Sequence, residues 1–341
     1  MTTDQEQVRF GSTDLYVTRL CQGTAFRHLK RGPEDENGQR VLRHCLDLGV
    51  NFFDTANSYG DGNSEVFLGN ALRDRRDNAV VATKFFNPMG TGPNDSGISR
   101  LHIMQAIESS LHRLKMDHVD LYYVHHVDTQ TPLEEMLGAL DALVHQGKVR
   151  YIACSNFQAW RMSEAMRISD FKGWARFDCY QPQYSLVVRD IEQELIPLCV
   201  TKGLGVVVWS PLAGGFLTGK YHPGDRSVKG ARSEEGWAYP EAYFAANADE
   251  TLECLFACAK ELGKPISQVA LRWILEQPAI TSVIIGARTE AQFLENVKAS
   301  GWSLDQNVFQ KLSDVSHLPD RYPEAMEKNM HERRDNAVEK H

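Results

Sequence analysis

Four residues in this chain have the types and spacing to move a proton together: Asp54, Tyr59, Lys84 and His125. Asp54 ends the apolar run Asn51-Phe-Phe-Asp, and the Gly-punctuated loop that follows presents Tyr59. Lys84 closes Ala79-Val-Val-Ala-Thr-Lys, and His125 closes Leu121-Tyr-Tyr-Val-His. A free phenol has a pKa of about 10, too high for efficient proton transfer near neutrality. An adjacent ammonium favours the phenolate and lowers that value, while a carboxylate behind the ammonium keeps it charged and fixed. Tyr59 beside Lys84 beside Asp54 therefore predicts a general acid, with His125 able to hydrogen-bond a substrate oxygen. Taken singly, the aspartate is equally a helix cap and the lysine a solvated strand end. Their recurrence at the exits of three consecutive strands carries the functional reading.

Further polar residues occur at matching places. Ser155 and Asn156 follow Tyr151-Ile-Ala-Cys, Gln181 closes Phe177-Asp-Cys-Tyr-Gln, and Trp209-Ser210 end Gly205-Val-Val-Val-Trp-Ser. In a closed barrel of parallel strands all these positions converge on one face, where active sites of such barrels lie.

The elements that must position them alternate along the chain. Apolar runs near 19–23, 50–54, 79–84, 119–124, 149–154, 177–181, 205–209 and 282–285 predict strands. Amphipathic patterns over 35–48, 63–73, 99–114, 133–146, 158–168, 191–201 and 289–299 predict helices between and after them. Short runs that are apolar throughout suit strands buried on both faces of a parallel sheet. About eight such units select an α/β fold, a (β/α)8 TIM barrel, over an open sheet. Residues 8–17 read as an N-terminal β-hairpin about Gly11-Ser-Thr-Asp, and 248–276 supply extra helices before the last strand. No linker divides the chain, so residues 1–341 are expected to form one domain, with 318–341 a polar tail. The long segment 210–247, with Trp237, Tyr239, Tyr243 and Phe244, reads as a functional loop such as a lid.

The 341 residues carry a formal charge of −8, which argues against nucleic acid or an anionic membrane surface as partner. No apolar run is long enough to span a bilayer, and the polar start Met1-Thr-Thr-Asp-Gln-Glu-Gln lacks the features of a secretory signal, so a cytoplasmic location is expected. The 7 cysteines form no CxxC and read as buried thiols, Cys254 and Cys258 sharing one helix face. No metal site is expected: His125 and His126 are adjacent, and neighbouring side chains of a strand point to opposite faces.

Two stretches suggest phosphate binding. Gly214-Gly-Phe-Leu-Thr-Gly-Lys220 matches GxxxxGK, yet Tyr221 stands where a magnesium-binding hydroxyl is required, so triphosphatase chemistry is not expected. Glycine amides with a lysine nonetheless cradle a phosphate or pyrophosphate. Gly286-Ala-Arg-Thr-Glu-Ala-Gln joins the last strand to a helix start that binds anions, with Arg288, Gln292 and Asn296 along one side, or forms an ordinary exposed helix. No GxGxxG follows a strand, so a Rossmann site is not expected.

The chain resembles the aldo-keto reductase superfamily over roughly nine-tenths of its length. The likeness rests on Phe53-Asp-Thr-Ala-x-x-Tyr59-Gly, Thr83-Lys84, Asp120-Leu-Tyr-Tyr-Val-His125, Gly147-Lys-Val-Arg-Tyr-Ile, Ser155-Asn156 and Trp209-Ser-Pro-Leu. Gly215-Phe-Leu-Thr-Gly-Lys-Tyr is similar to the aryl-alcohol dehydrogenase-like branch, which is related to potassium-channel β-subunits. The resemblance implies that Asp54, Tyr59, Lys84 and His125 form a catalytic tetrad, Tyr59 acting as acid in reduction and base in oxidation. It implies that Ser155, Asn156 and Gln181 hold a nicotinamide carboxamide and that Trp209 stacks on the ring. Ser210, Leu212, Gly214 and Lys220 would cover the pyrophosphate, with Thr24 and Ala25 approaching from the first loop and Arg232 as a further phosphate contact. Gly286, Arg288, Gln292, Glu295 and Asn296 match the adenosine-phosphate site. Many animal members carry a lysine at the place of Gly286, which leaves Arg288 as the strong cation, and NADP(H) is expected over NAD(H). Phe85 and Phe86 follow the lysine where many relatives carry a tryptophan, so substrate preference does not transfer.

The expected activity is NADP(H)-dependent reduction of aldehydes or ketones to alcohols, reversible, on a small-molecule substrate and without a metal. The alternative is a cofactor-sensing binding protein with slow or no turnover. A metal-dependent barrel hydrolase lacks a ligand set. The aromatic residues of the loops around Phe26, Phe85–Ile98 and 221–247 suit aryl aldehydes, quinones, sugars or larger keto compounds, and self-association is compatible with the composition.

Overall fold

The computed structural model of the chain describes residues 5–25, 36–225, 228, 246–287, 289–327 and 330. Strands β1 (Gln7–Arg9) and β2 (Tyr16–Thr18) pair antiparallel as the N-terminal hairpin. The next eight strands are β3 (Leu20–Gly23), β4 (Phe52–Asp54), β5 (Val80–Phe85), β6 (Val119–Val124), β7 (Val149–Ser155), β8 (Phe177–Gln181), β9 (Gly205–Val208) and β10 (Ser282–Ile285). They run parallel, each beside the next, and β10 returns to β3, so the sheet closes. This is the expected (β/α)8 TIM barrel.

Helices α1 (Glu36–Asp47), α2 (Asn63–Leu72), α3 (Arg100–Leu114), α4 (Leu133–His145), α5 (Ala159–Lys172) and α6 (Leu195–Lys202) link successive strands from β3 to β9. Two helices, α7 (Ala248–Leu262) and α8 (Ile266–Leu275), precede β10; α9 (Glu290–Val297) and α10 (Gln306–Val315) follow it. The sequence explains their ends. In α3 the Ser99 hydroxyl accepts from the His102 amide at 3.2 Å, and Ile103, Ile107, Leu111 and Leu114 form the buried stripe of a 3.6-residue period. The expected helix over 158–168 runs on to Lys172, because its stop is Gly173 in the left-handed region at φ 67°. Helix α8 is buried along its whole length, with Trp273 donating to Ser313 at 2.9 Å and so tying α10 to the barrel wall.

Inside the barrel, Cys21, Phe52, Val80, Ala82, Leu121, Tyr123, Ala153, Cys179 and Val207 pack with Phe10 and Val17 of the hairpin segment. Phe10 meets Phe52 edge to face, with ring centroids 6.0 Å apart. Gly11 sits at φ 57°, and a Cβ there would lie 2.5 Å from the Gly205 amide nitrogen, so only glycine lets the hairpin seat this closely. The Ser12 amide donates to the Gly203 carbonyl at 2.8 Å and completes the floor. Side chains alternate along a strand. Asp54 and Lys84 stand two residues beyond the inward-facing Phe52 and Ala82, as Ser155 and Gln181 do beyond Ala153 and Cys179.

Half of the lid expected over 210–247, residues 226–227 and 229–245, lies outside the described residues, as do Phe26, residues 328–329 and 331–341 of the tail. No described helix is long and apolar enough to cross a membrane.

Candidate active site

The site is built at the C-terminal ends of the strands. Lys84 is fully buried, and its Nζ donates to Asp54 Oδ1 at 2.5 Å and to the Thr55 carbonyl at 2.8 Å. The Tyr59 hydroxyl lies 3.5 Å from the same nitrogen. Burial opposes the charge on Lys84, but Asp54 and Tyr59 outweigh it and hold the ammonium above the ordinary lysine pKa. Beneath Lys84 lies the ring of Tyr123, 5.8 Å away, whose own ionisation burial resists first. The ammonium thus stands between the packed barrel interior and the phenol at the mouth.

Gln181 reaches Asp54 from across the barrel, its Nε2 donating to Oδ2 at 2.8 Å. Both carboxylate oxygens are therefore engaged, one by a cation and one by an amide. Ser155 donates to the Gln181 carbonyl at 2.7 Å, and the Asn156 amide donates to the His125 carbonyl and to Ser155 Oγ, both at 3.0 Å. Asn156 adopts φ 61°, a left-handed conformation that asparagine tolerates better than most residues. Thr24 is buried, and its amide and hydroxyl donate to the Asp54 carbonyl at 2.9 and 3.0 Å.

The Tyr59 and His125 rings meet edge to face at 5.8 Å. Burial, then Lys84 and His126, push His125 well below the usual histidine pKa, so the ring is neutral at pH 7. The expectation that His125 and His126 point to opposite faces is overturned: the rings stack at 4.6 Å and 12°. Strand β6 ends at Val124, and alternation applies only within an extended strand. Phe86 packs on His126 at 5.4 Å and holds a strained φ of 141°. No cluster of three or more metal-ligating side chains occurs among the described residues.

Two neighbours escaped the sequence reading. Asn87 Nδ2 lies 3.1 Å from Ser58 Oγ and 3.3 Å from His125 Nδ1. Glu65, fully buried, accepts from Thr83 at 2.5 Å and pairs with Arg113 at 2.7 Å, pinning α2 to the strand that bears Lys84. The signal for Asn87 is its position three residues after Lys84 at the barrel mouth; Glu65 carried no signal beyond an acidic residue in a helix's first turn.

After β9, Ser210 (φ 56°), Ala213 (48°), Gly214 (66°), Gly215 (108°) and Gly219 (86°) interrupt the chain with left-handed turns. Gly215 and Gly286 each face open space, with nothing within 4 Å of where a Cβ would be. Trp209 is part-buried and bridges Gln183, while Leu212 is part-buried and Lys220 exposed. On α9, Thr289 Oγ1 accepts from the Gln292 amide at 3.2 Å, Glu295 is bonded by Ser267 at 2.8 Å, and Asn296 is buried. Ala25 is part-buried at the end of the first described loop segment. Arg232 and Arg288 lie outside the described residues.

Residues 19–317 match the family model described as the aldo/keto reductase family. The chain is 36% identical over 321 residues to the uncharacterized oxidoreductase YrpG of Bacillus subtilis (strain 168), covering 91% of this chain and 95% of that protein. It is 38% identical over 296 residues to a protein of Oryza sativa subsp. japonica named as a probable voltage-gated potassium channel subunit beta, covering 85% and 89%. It is 34% identical over 275 residues to the L-glyceraldehyde 3-phosphate reductase of Escherichia coli (strain K12), covering 77% and 79%. The chain belongs to the aldo/keto reductase family. It is an oxidoreductase with a TIM-barrel scaffold.

Proposed function

We propose that this protein is an NADP(H)-dependent reductase of aldehydes or ketones, reversible toward alcohol oxidation, in which Tyr59 is the general acid and base. The observation that carries this reading is the Tyr59 hydroxyl at 3.5 Å from a buried Lys84 ammonium that Asp54 holds at 2.5 Å. An ammonium so placed favours phenolate, which brings the phenol's proton within reach of neutral-pH chemistry. In reduction Tyr59 gives its proton to the carbonyl oxygen, and in oxidation it takes the alcohol's proton. Neutral His125 donates a hydrogen bond to the same oxygen and orients the substrate.

A bound dihydronicotinamide supplies the hydride. The chain's residues fit such a group: Ser155, Asn156 and Gln181 bring a hydroxyl and two amides to one side of the mouth. Gly215 and Gly286 leave open space for close backbone approach, as a pyrophosphate and an adenosine phosphate require. Ser210, Leu212, Gly214 and Lys220 would border the first, with Gln292, Glu295, Asn296 and Arg288 at the second. Arg288 is the basis for NADP(H) over NAD(H). We read the whole chain as one domain acting in the cytoplasm, where its seven free thiols stay reduced.

The test is Tyr59→Phe. The variant should bind NADPH with unchanged affinity while turnover of a carbonyl panel falls by about a hundredfold or more. Undiminished turnover would refute the assignment. A second reading, a cofactor-sensing binding protein with slow turnover, draws on the 38% identity to the channel-subunit relative. Tight NADPH binding without NADPH consumption on any carbonyl of the panel would select it.

A further inference from the structure

We propose that Asn87 is a positioning residue that fixes His125 as its Nε2–H tautomer, leaving Nε2 as the donor on the ring. The inference rests on the reading of His125 as the group that hydrogen-bonds the carbonyl. A neutral imidazole has one N–H and one lone pair, and the partner of one nitrogen decides which atom carries the proton. Asn87 turns its amide nitrogen toward His125 Nδ1 at 3.3 Å and toward Ser58 Oγ at 3.1 Å. With the amide nitrogen on this side, Nδ1 accepts and the proton resides on Nε2. The two N–H bonds of one amide are thus divided between the loop that bears Tyr59 and the histidine.

The placement of Asn87 is not casual. It follows Phe86, whose backbone is held at a strained φ of 141° and whose ring packs on His126. Strain of this kind persists only where the surroundings enforce it. The groups facing His125 are the Lys84 ammonium, the Tyr59 ring and the stacked His126, and none of them is an anion that would hold a proton on Nδ1.

Asn87→Asp tests the proposal, because a carboxylate only accepts and would draw a proton to Nδ1. With the ring nitrogens labelled, NMR of wild type at pH 7 should give an unprotonated Nδ1 and a protonated Nε2 for His125. In Asn87→Asp, Nδ1 should be protonated at the same pH. The kinetic signature is a pH profile. In the variant, Nε2 bears a proton only while the ring is doubly protonated, so the ratio of variant to wild-type kcat should fall about tenfold per pH unit above the ring's raised pKa. A purely structural role would scale kcat evenly across pH. Asn87→Leu serves as a control for packing, with folding followed by circular dichroism.

A wild-type ring protonated on Nδ1, or a folded Asn87→Asp protein with Nδ1 still bare and a flat kcat ratio, overturns the inference. The outcome that sinks the reductase reading is separate: the expected nitrogen shifts in both proteins, with no carbonyl reduced by either, would uphold the tautomer and remove the activity.

Discussion

Gln181 and Asp54 are 127 residues apart in sequence, yet the Gln181 amide donates to the Asp54 carboxylate over 2.8 Å across the mouth of the barrel. This bond leaves Oδ1 of Asp54 for Lys84, so the carboxylate is aimed as well as charged. Sequence resemblance implied a different duty for Gln181, the holding of a carboxamide. The structure gives its side-chain nitrogen to Asp54.

Replacing Gln181 by leucine should destabilise the fold by about 2 kcal/mol, the usual scale for a hydrogen bond to a charged group. Urea unfolding monitored by tryptophan fluorescence measures this. A variant as stable as wild type would show that the amide contributes orientation without stability.

Lys84→Met should cost about 3–5 kcal/mol, because it strands a buried carboxylate. Combining it with Asp54→Leu should recover a large part of that loss, since an apolar pair of similar volume needs no counter-charge. Both proteins should be inactive. A double variant less stable than Lys84→Met would contradict the coupling of the two charges.

On the floor side of the barrel, burial raises the carboxyl of Asp178 to a pKa of about 6, with Arg176 opposing. A carboxyl whose folded pKa exceeds its unfolded value binds more protons folded, so the fold loses stability as pH rises from about 4 to about 6. A neutral amide at this position carries no such penalty. Asp178→Asn should therefore stabilise the protein at pH 7 by roughly 2 kcal/mol, and the gain should vanish near pH 4. Melting temperatures at the two pH values decide it, and a gain of equal size at both would point to packing instead of ionisation.

The strands and their phase were legible because burial on both faces leaves runs such as Val80-Val-Ala-Thr-Lys almost wholly apolar until the mouth. Period-two counting then carries Asp54, Lys84, Ser155 and Gln181 inward without further information. Other features depend on closure of the barrel. The Gln181–Asp54 contact joins strands that meet only once the sheet is complete, whereas Asn87 and His125 meet as soon as β5 pairs with β6. The stacking of His125 on His126 depends on where β6 stops, and the apolar run of that strand gives no mark of it.

The hairpin that seats Phe10 under Phe52 has a final consequence for traffic. Side chains packed above that seat fill the cylinder, so the polar groups Asp54, Lys84 and Gln181 are offered to small molecules at the mouth alone among the described strand ends. Under the proposed function two reactants share that mouth, and whichever lies deeper must arrive first and depart last. The order of binding would then be a matter of architecture, set by depth above a filled barrel.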